Sequence, residues 1–277
     1  MGPPDQFPYN LFHVGQRQIN LSHFVACKFR PSNQIIPRIL FVGGSMARRA
    51  RIILPGEAHH VTQRGNRRQN VFFSPDDYRN YLRLLWTNAE IFKFDIWAYC
   101  LMPNHVHLLV VPECEKSLRD GISLLHQTYT RSVNDSKSWK GHLWQGRFFS
   151  CPVGPCGVAA VARYIELNPV RAAMCINASD YSWSSAKESC TGQLGKNGFA
   201  PIFAPGGTWA EYLAYEPLGD SDENLKSIRE TVRIGRPFAS EKYLEILEKR
   251  TGKILKPQKR GRKPMRPPIE IGRVAPN

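Results

Sequence analysis

Hydrophobic and polar positions between residues 59 and 153 switch between the period of a strand and the period of a helix. Two segments with apolar residues at helical spacing predict helices, one that begins at Ser74 as its N-cap and one over residues 116–134. Four alternating or aromatic-rich segments predict strands over residues 59–65, 94–102, 105–111 and 143–153. Pro103 and Asn104 predict a tight turn between the second and third strands, which are therefore expected to be antiparallel.

The predicted elements follow one another in the order β-α-β-β-α-β. This order is typical of an α+β fold of the ferredoxin-like type, an antiparallel sheet with helices on one face. A third helix is predicted over residues 157–168 and a short one near residues 240–250. Because Pro169 disfavours helical geometry at Asn168, the third helix is expected to end there.

Composition divides the chain into three parts. Residues 1–45 contain Pro, Asn, Gln and scattered aromatics without a sustained period, which predicts a disordered or mis-called extension before a natural start at Met46. An ordinary N-terminal subdomain is the alternative. Residues 46–190 form the predicted domain, and residues 191–277 form a C-terminal extension that ends in a basic tail, expected to be disordered in isolation.

The charge of the chain indicates what kind of partner it binds. The formal net charge is +15 and the sequence pI is about 9.7, which favours a polyanion such as nucleic acid over other partners. An anionic membrane surface and a plain solvated basic surface are the alternatives. No apolar run reaches the length of a membrane span, and no secretory signal is seen, so no membrane partner is expected.

The cysteines add little to the candidate chemistry. Seven cysteines without a C-x-x-C pair favour free thiols in a reducing, cytoplasmic environment. Cys151 and Cys156 are the closest pair, and a zinc site built on them is the weaker alternative.

Chemistry is concentrated in the third strand and the third helix. Side chains alternate across a strand, so His105 and His107 share one face and can hold a metal ion together. The alternative is a pair of satisfied histidines packed beside the sheet. Tyr164 falls at the edge of the apolar stripe of the third helix, and Asn168 lies about 40° from it on the same side. A half-buried packing tyrosine is the alternative for Tyr164.

Four segments together resemble a known family. "HVH" is similar to the HUH motif of two histidines around a hydrophobic residue, and "RGNRRQNVFF", "MPNHVHLLV", "GHLWQGRFF" and "YIELNPVRA" stand in the order seen in single-tyrosine HUH transposases. The chain resembles the REP-associated tyrosine transposases within that group, over residues 46–190. The resemblance implies a catalytic domain there and a DNA-binding extension over residues 191–277.

The resemblance also implies roles for individual residues. His105 and His107 match the metal-binding pair, Tyr164 the nucleophile and Asn168 a third metal ligand. Members more often have His where this chain has Glu166. Because Glu166 is expected to point away from Tyr164, we do not expect this difference to alter the chemistry.

The implied activity is DNA strand transfer. Such an enzyme cleaves and rejoins single-stranded, hairpin-forming DNA through a 5′-phosphotyrosine, as a monomer or homodimer, with Mg²⁺ as cofactor and Mn²⁺ able to substitute. The alternative is a non-catalytic nucleic-acid-binding module whose sheet aromatics stack on bases. The residues expected to contact DNA, with a solvated face as the alternative for the first four, are Arg64, Arg67, Gln145, Arg147, Lys259, Arg260, Arg262 and Lys263.

Overall fold

A four-stranded antiparallel sheet lies at the centre of the protein. The computed structural model describes residues 51–192, 207–214 and 223–256. The strands are β1 (Ala58–Arg64), β2 (Phe94–Met102), β3 (His105–Pro112) and β4 (Phe149–Val153). They lie side by side in the order β2-β3-β1-β4, and every neighbouring pair is antiparallel.

Helices cover both faces of this sheet. The described helices are α1 (Pro75–Phe92), α2 (Glu115–Lys137), α3 (Val158–Glu166), α4 (Asn168–Arg171), α5 (Ala186–Thr191), α6 (Trp209–Ala214), α7 (Glu223–Ile234) and α8 (Glu241–Thr251). The helices α1 and α2 pack on one face and α3 packs on the other. The predicted α+β ferredoxin-like fold is confirmed, with α3 as the additional helix. None of the helices within the described ranges is long and apolar enough to cross a membrane.

Strand alternation separates the two cores. Val106 and Leu108 of β3 point into the core formed with α1 and α2. Leu109, on the other side of the same strand, packs with Ile165 of α3 in the second core. Because the period of a strand is two, His105 and His107 lie on the α3 side with Leu109.

Local signals set the start of α1. The hydroxyl of Ser74 accepts a hydrogen bond from the amide of Asp77, and the carboxylate of Asp77 accepts one from the amide of Ser74. This capping box satisfies amides that have no partner inside the helix. The predicted N-cap at Ser74 is therefore confirmed.

Two predicted boundaries are wrong. Residues 143–147 do not belong to the fourth strand, which begins at Phe149. The carbonyl of Leu143 accepts from the amide of Asn66, and the amide of Gln145 donates to the carbonyl of Arg64. The helix α3 ends at Glu166, two residues before its predicted end, and Asn168 opens the separate turn α4.

The described part of the C-terminal extension packs onto the domain. Leu244, Leu247 and Leu255 form a small core with Leu54. The phenol of Tyr243 donates a hydrogen bond of 2.7 Å to the carboxylate of Glu57, which Arg250 also contacts. The helices α5, α6 and α7 were not predicted. Residues 1–45 and the basic tail after Lys256 lie outside the described residues, so their assignments stay predictions.

Candidate active site

The structure brings His105, His107 and Tyr164 together on the α3 side of the sheet. The two histidine rings of β3 lie 5.0 Å apart, measured between centroids. The ring of Tyr164, carried by α3, lies edge-on 5.7 Å from the ring of His107. A phenol from α3 and two imidazoles from β3 are therefore neighbours.

Burial keeps both imidazoles neutral. Desolvation, aided by the charge of Arg64, lowers the pKa of His105 to about 4. The pKa of His107 is held well below its ordinary value, first by desolvation and then by the charge of neighbouring groups that include His60, His105 and Arg171. A neutral imidazole keeps one nitrogen lone pair, which is the form that binds metal ions.

Neighbouring groups leave the outer nitrogen of each ring available. The Oδ1 atom of Asn104 lies 2.6 Å from Nδ1 of His105, and the Nδ2 atom of Asn104 donates to the carbonyl of Arg68. Nδ1 of His107 lies 2.9 Å from Nε2 of His60. Both Nδ1 atoms are thus hydrogen-bonded. Nε2 of His105 keeps the lone pair that can bind a divalent ion, and Nε2 of His107 keeps one when His60 accepts the hydrogen bond.

Two histidines are not a complete set of metal ligands. Within residues 51–192, 207–214 and 223–256, no three His, Cys, Asp or Glu side chains converge on one point. The predicted third ligand, Asn168, uses its Nδ2 to donate to the carbonyls of Tyr164 and Ile165 at the end of α3, at 3.0 and 3.1 Å. A ligand role for Asn168 would therefore fall to its Oδ1.

The carboxylate of Glu166 points away from this site, as expected. It is fully buried and accepts hydrogen bonds from the hydroxyls of Ser185 and Ser189 and from the indole N–H of Trp209, at 2.5, 2.6 and 2.6 Å. Desolvation raises its pKa, against the effect of these three donors. Glu166 thus joins α3 to α5 and α6 and takes no part in the histidine cluster.

Sequence reasoning missed His60. This residue of β1 is 1% exposed, and its ring lies 5.1 Å from the ring of His107 and 5.8 Å from that of Tyr164. Desolvation lowers its pKa to about 3. The pairing of β1 with β3 places His60 next to Leu109 and on the face shared with His107, and only the structure shows this register.

Sequence reasoning also missed Arg171. Its guanidinium lies 4.4 Å from the ring centroid of Tyr164 and donates to the backbone carbonyl of the same residue. Arg171 stands in α4, beyond the break at Leu167, so extending the period of α3 would not have located it. It holds the nucleophile candidate through both its ring and its backbone carbonyl.

Predicted DNA contacts lie where the strands end near His105. The exposed Arg64 is paired with His105 across β1 and β3, and its carbonyl accepts from the amide of the exposed Gln145. Arg67 and Arg147 are also exposed. Four further predicted contacts, Lys259, Arg260, Arg262 and Lys263, lie outside the described residues.

Comparisons with known proteins cover the segment that carries this site. Residues 57–168 match the family model described as IS200-like transposase. A putative REP-associated tyrosine transposase of Haemophilus influenzae is 28% identical over 121 residues, which cover 39% of this chain and 69% of the relative.

Two solved structures were also compared. One is a REP-associated tyrosine transposase bound to a REP hairpin, with a TM-score of 0.47, 19% identity, and coverage of 58% of this chain and 94% of the other. The second is a putative transposase from Deinococcus radiodurans, with a TM-score of 0.32, 20% identity, and coverage of 43% and 95%. The matched family segment contains His60, His105, His107, Tyr164 and Asn168. The resemblance seen in the sequence is confirmed: residues 57–168 match the model of the IS200-like transposases, and the chain is similar to a putative REP-associated tyrosine transposase.

Proposed function

We propose that this transposase cleaves and rejoins single-stranded DNA, of the hairpin type found in REP elements, through a covalent bond to Tyr164. The observation that carries the proposal is the contact of the Tyr164 ring with His107 and His60 in one buried cluster. A purely structural tyrosine would not require two neutral imidazoles beside it. The alternative of a non-catalytic nucleic-acid-binding module leaves this cluster without a purpose.

The proposed reaction exchanges one phosphate ester for another. The oxygen of Tyr164 forms a bond to the phosphorus while the bond from phosphorus to the 3′ oxygen breaks. The phenol proton passes to solvent, and the departing 3′ oxygen is protonated to a 3′-OH. Because the new ester retains the energy of the broken one, a 3′-OH can attack it later and reseal a strand while releasing Tyr164. Arg171 would hold the ring of Tyr164 in place through its guanidinium, which lies over that ring.

A divalent ion is part of the proposal. His105 and His107 would hold it through Nε2, with Asn168 as a further ligand through Oδ1. When bound, the ion would stabilise negative charge on the phosphate oxygens. Mg²⁺ is proposed as cofactor, and Mn²⁺ should substitute well because imidazole suits transition metals better than Mg²⁺.

One chain is proposed to hold a whole active site. Tyr164 contacts the histidines of its own chain. A monomer could therefore act alone, and a homodimer would carry two such sites.

DNA is proposed to run along the end of the sheet beside His105. Arg64, Arg67 and Arg147 are exposed there and would bind phosphates without reading sequence. Phe149, 54% exposed, is paired with Thr62 on the α3 side of the sheet and offers a ring for base stacking. Gln145 and the basic tail would add further contacts.

Replacement of the nucleophile tests the proposal directly. Tyr164→Phe removes one oxygen and keeps the ring that contacts the histidines, so fold and hairpin binding should be retained. Incubation with single-stranded hairpin DNA and analysis on a denaturing gel should then show no covalent adduct. Tyr181→Phe is the matched control, because the hydroxyl of Tyr181 donates to the backbone carbonyl of Leu101, and this variant should form the adduct normally. An adduct formed by Tyr164→Phe would refute the assignment.

The metal requires its own experiment. His105→Ala and His107→Ala each remove one of the two Nε2 atoms, so cleavage should be lost while hairpin binding measured by gel shift persists. EDTA should have the same effect on the unmodified protein, and added Mn²⁺ should restore the activity. Full cleavage in the presence of EDTA would contradict the assignment of His105 and His107.

A further inference from the structure

The two β3 histidines differ in how their tautomers are set. Asn104 orients its amide by donating from Nδ2 to the carbonyl of Arg68, so its Oδ1 faces Nδ1 of His105. An amide oxygen can only accept, which places the single ring proton of neutral His105 on Nδ1 and leaves the lone pair on Nε2. For His105, the hydrogen bond alone decides which nitrogen can bind a metal ion.

The hydrogen-bond partner of His107 does not fix its tautomer in the same way. Nδ1 of His107 faces Nε2 of His60 at 2.9 Å, and a neutral imidazole nitrogen can donate or accept. If His60 donates, the proton of His107 sits on Nε2 and the ring cannot bind a metal ion through that atom. If His60 accepts, Nε2 of His107 carries the lone pair.

Nothing else near His60 competes for this hydrogen bond. Within the described ranges, Nδ1 of His60 is buried without a hydrogen-bond partner, whichever tautomer His60 adopts. The ring is enclosed between β3 and the ring of Tyr164. Of the two ring nitrogens of His60, only Nε2 is therefore hydrogen-bonded within the described residues, and its partner is His107.

We propose that His60 is a positioning residue. When a divalent ion is bound, Nε2 of His60 accepts a hydrogen bond from the Nδ1–H of His107, so that Nε2 of His107 is the ligand. The inference rests on the proposed function, since it concerns the metal site of the same reaction. His60 would accept from Nδ1 of His107 in the same way that Asn104 accepts from Nδ1 of His105. A hydrogen-bond acceptor at the nitrogen that does not bind the metal ion fixes the tautomer of a histidine ligand and orients its ring. His60 would act through His107 and would not itself be a ligand of the ion.

Two substitutions separate the hydrogen bond from the packing. His60→Leu fills a similar volume beside Tyr164 but cannot accept a hydrogen bond from His107. His60→Gln can present an oxygen near the position of Nε2. His126→Leu is the matched control, because His126 is also buried and hydrogen-bonded, to Tyr81, but lies in the core on the opposite face of the sheet.

The experiment is calorimetric titration of the full chain with Mn²⁺ in the absence of DNA, with circular dichroism to verify folding. His60→Leu should weaken Mn²⁺ binding about 10–100-fold, the usual effect of losing such a partner. His60→Gln should recover most of that loss, and His126→Leu should bind Mn²⁺ like the unmodified protein. Unchanged Mn²⁺ affinity in a folded His60→Leu protein would overturn the inference.

A second measurement reads the proton itself. Histidine side-chain ¹H–¹⁵N spectra of the unmodified protein saturated with Mg²⁺, which is diamagnetic, should show His107 protonated at Nδ1. A proton on Nε2 would overturn the inference about His60. If the unmodified protein binds no Mn²⁺ and forms its DNA adduct in EDTA, the proposed metal site itself has failed, which is a different result from normal binding that is insensitive to position 60.

Discussion

Replacement of Trp209 tests how strongly its hydrogen bond to Glu166 holds α3 in place. Its hydrogen bond of 2.6 Å reaches a carboxylate oxygen of Glu166, and both side chains are buried. Trp209→Phe removes this donor, so a buried carboxylate oxygen of Glu166 loses its hydrogen bond from the indole. A hydrogen bond to a charged group contributes about 1.5–3 kcal/mol, so the free energy of unfolding should fall by that amount beyond the loss of ring contacts.

Trp97→Phe is the matched control for that loss of contacts. Trp97 packs against the same core, but its indole N–H is buried without a hydrogen-bond partner among the described residues. Both variants shorten the same ring, so the difference between them isolates the hydrogen bond. Urea denaturation should place Trp209→Phe about 1.5–3 kcal/mol below Trp97→Phe in unfolding free energy. In a thermal scan this difference corresponds to about 3–12 °C for a domain of this size.

The rate of adduct formation gives the second measurement on Trp209→Phe. Glu166 stands two residues after Tyr164 on α3, and the preceding Arg163 donates to the carbonyl of Tyr212 in α6. Loosening α6 should therefore lower the rate of adduct formation at saturating hairpin DNA and leave hairpin affinity unchanged. Equal unfolding free energies for the Trp209 and Trp97 variants would show that the bond to Glu166 stabilises nothing, and the reasoning would be refuted.

Three further predictions concern charge. Removal of residues 257–277 takes away six Lys or Arg, so the slope of log affinity for single-stranded DNA against log salt should flatten by up to about 4, and an unchanged slope would contradict a phosphate-binding tail. Burial lowers the pKa of His126 from 6.5 to about 3, so the stability it contributes is present above pH 6.5 and is lost as pH falls toward 3. His126→Gln should reduce the slope of unfolding free energy in that window by about 1.4 kcal/mol per pH unit, and urea titrations that keep the same slope would disprove this. Arg171→Ala should slow adduct formation about 10-fold at unchanged hairpin affinity, because it removes the cation that contacts the ring of Tyr164, whereas equal rates would exclude that role.

The position of the tail truncation follows from the structure. A cut after Glu248, where the basic residues of the tail become dense, would remove more positive charge. In the structure, however, Leu255 is fully buried against Leu54, and the carboxylate of Glu248 accepts hydrogen bonds from the amides of Leu255 and Lys256. A cut after Glu248 would destabilise the domain, so a change in DNA affinity could not be assigned to charge.

Elements with local signals could be predicted from the sequence. The strand β2 was predicted at its observed bounds, because an alternating run is ended by the turn at Pro103 and Asn104. The start of α1 was predicted because Ser74 and Asp77 form a capping box within four residues. The shared face of His105 and His107 needed only the period of a strand.

Contacts between distant segments could not be predicted in this way. The contact of His60 with His107 depends on the register of β1 against β3, which joins positions 47 residues apart. Glu166 was expected to point away from Tyr164, but its partners are 19 to 43 residues further along the chain. Segment 143–147 looked like a strand because it is aromatic, yet its backbone hydrogen bonds go to Arg64 and Asn66 at the ends of other elements.

The reacting groups and the groups that hold them come from different parts of the chain. His60, His105, His107 and Tyr164 all lie inside the segment that matches the transposase family, residues 57–168. The contacts that fix α3 against the sheet come from beyond it: Arg171 on the ring of Tyr164, and Ser185, Ser189 and Trp209 on Glu166. A fragment limited to the matched segment would therefore keep every proposed reacting group and leave a buried carboxylate without its three donors. The family segment carries the proposed reacting groups, but the geometry that brings Tyr164 to the histidines also depends on residues that follow it.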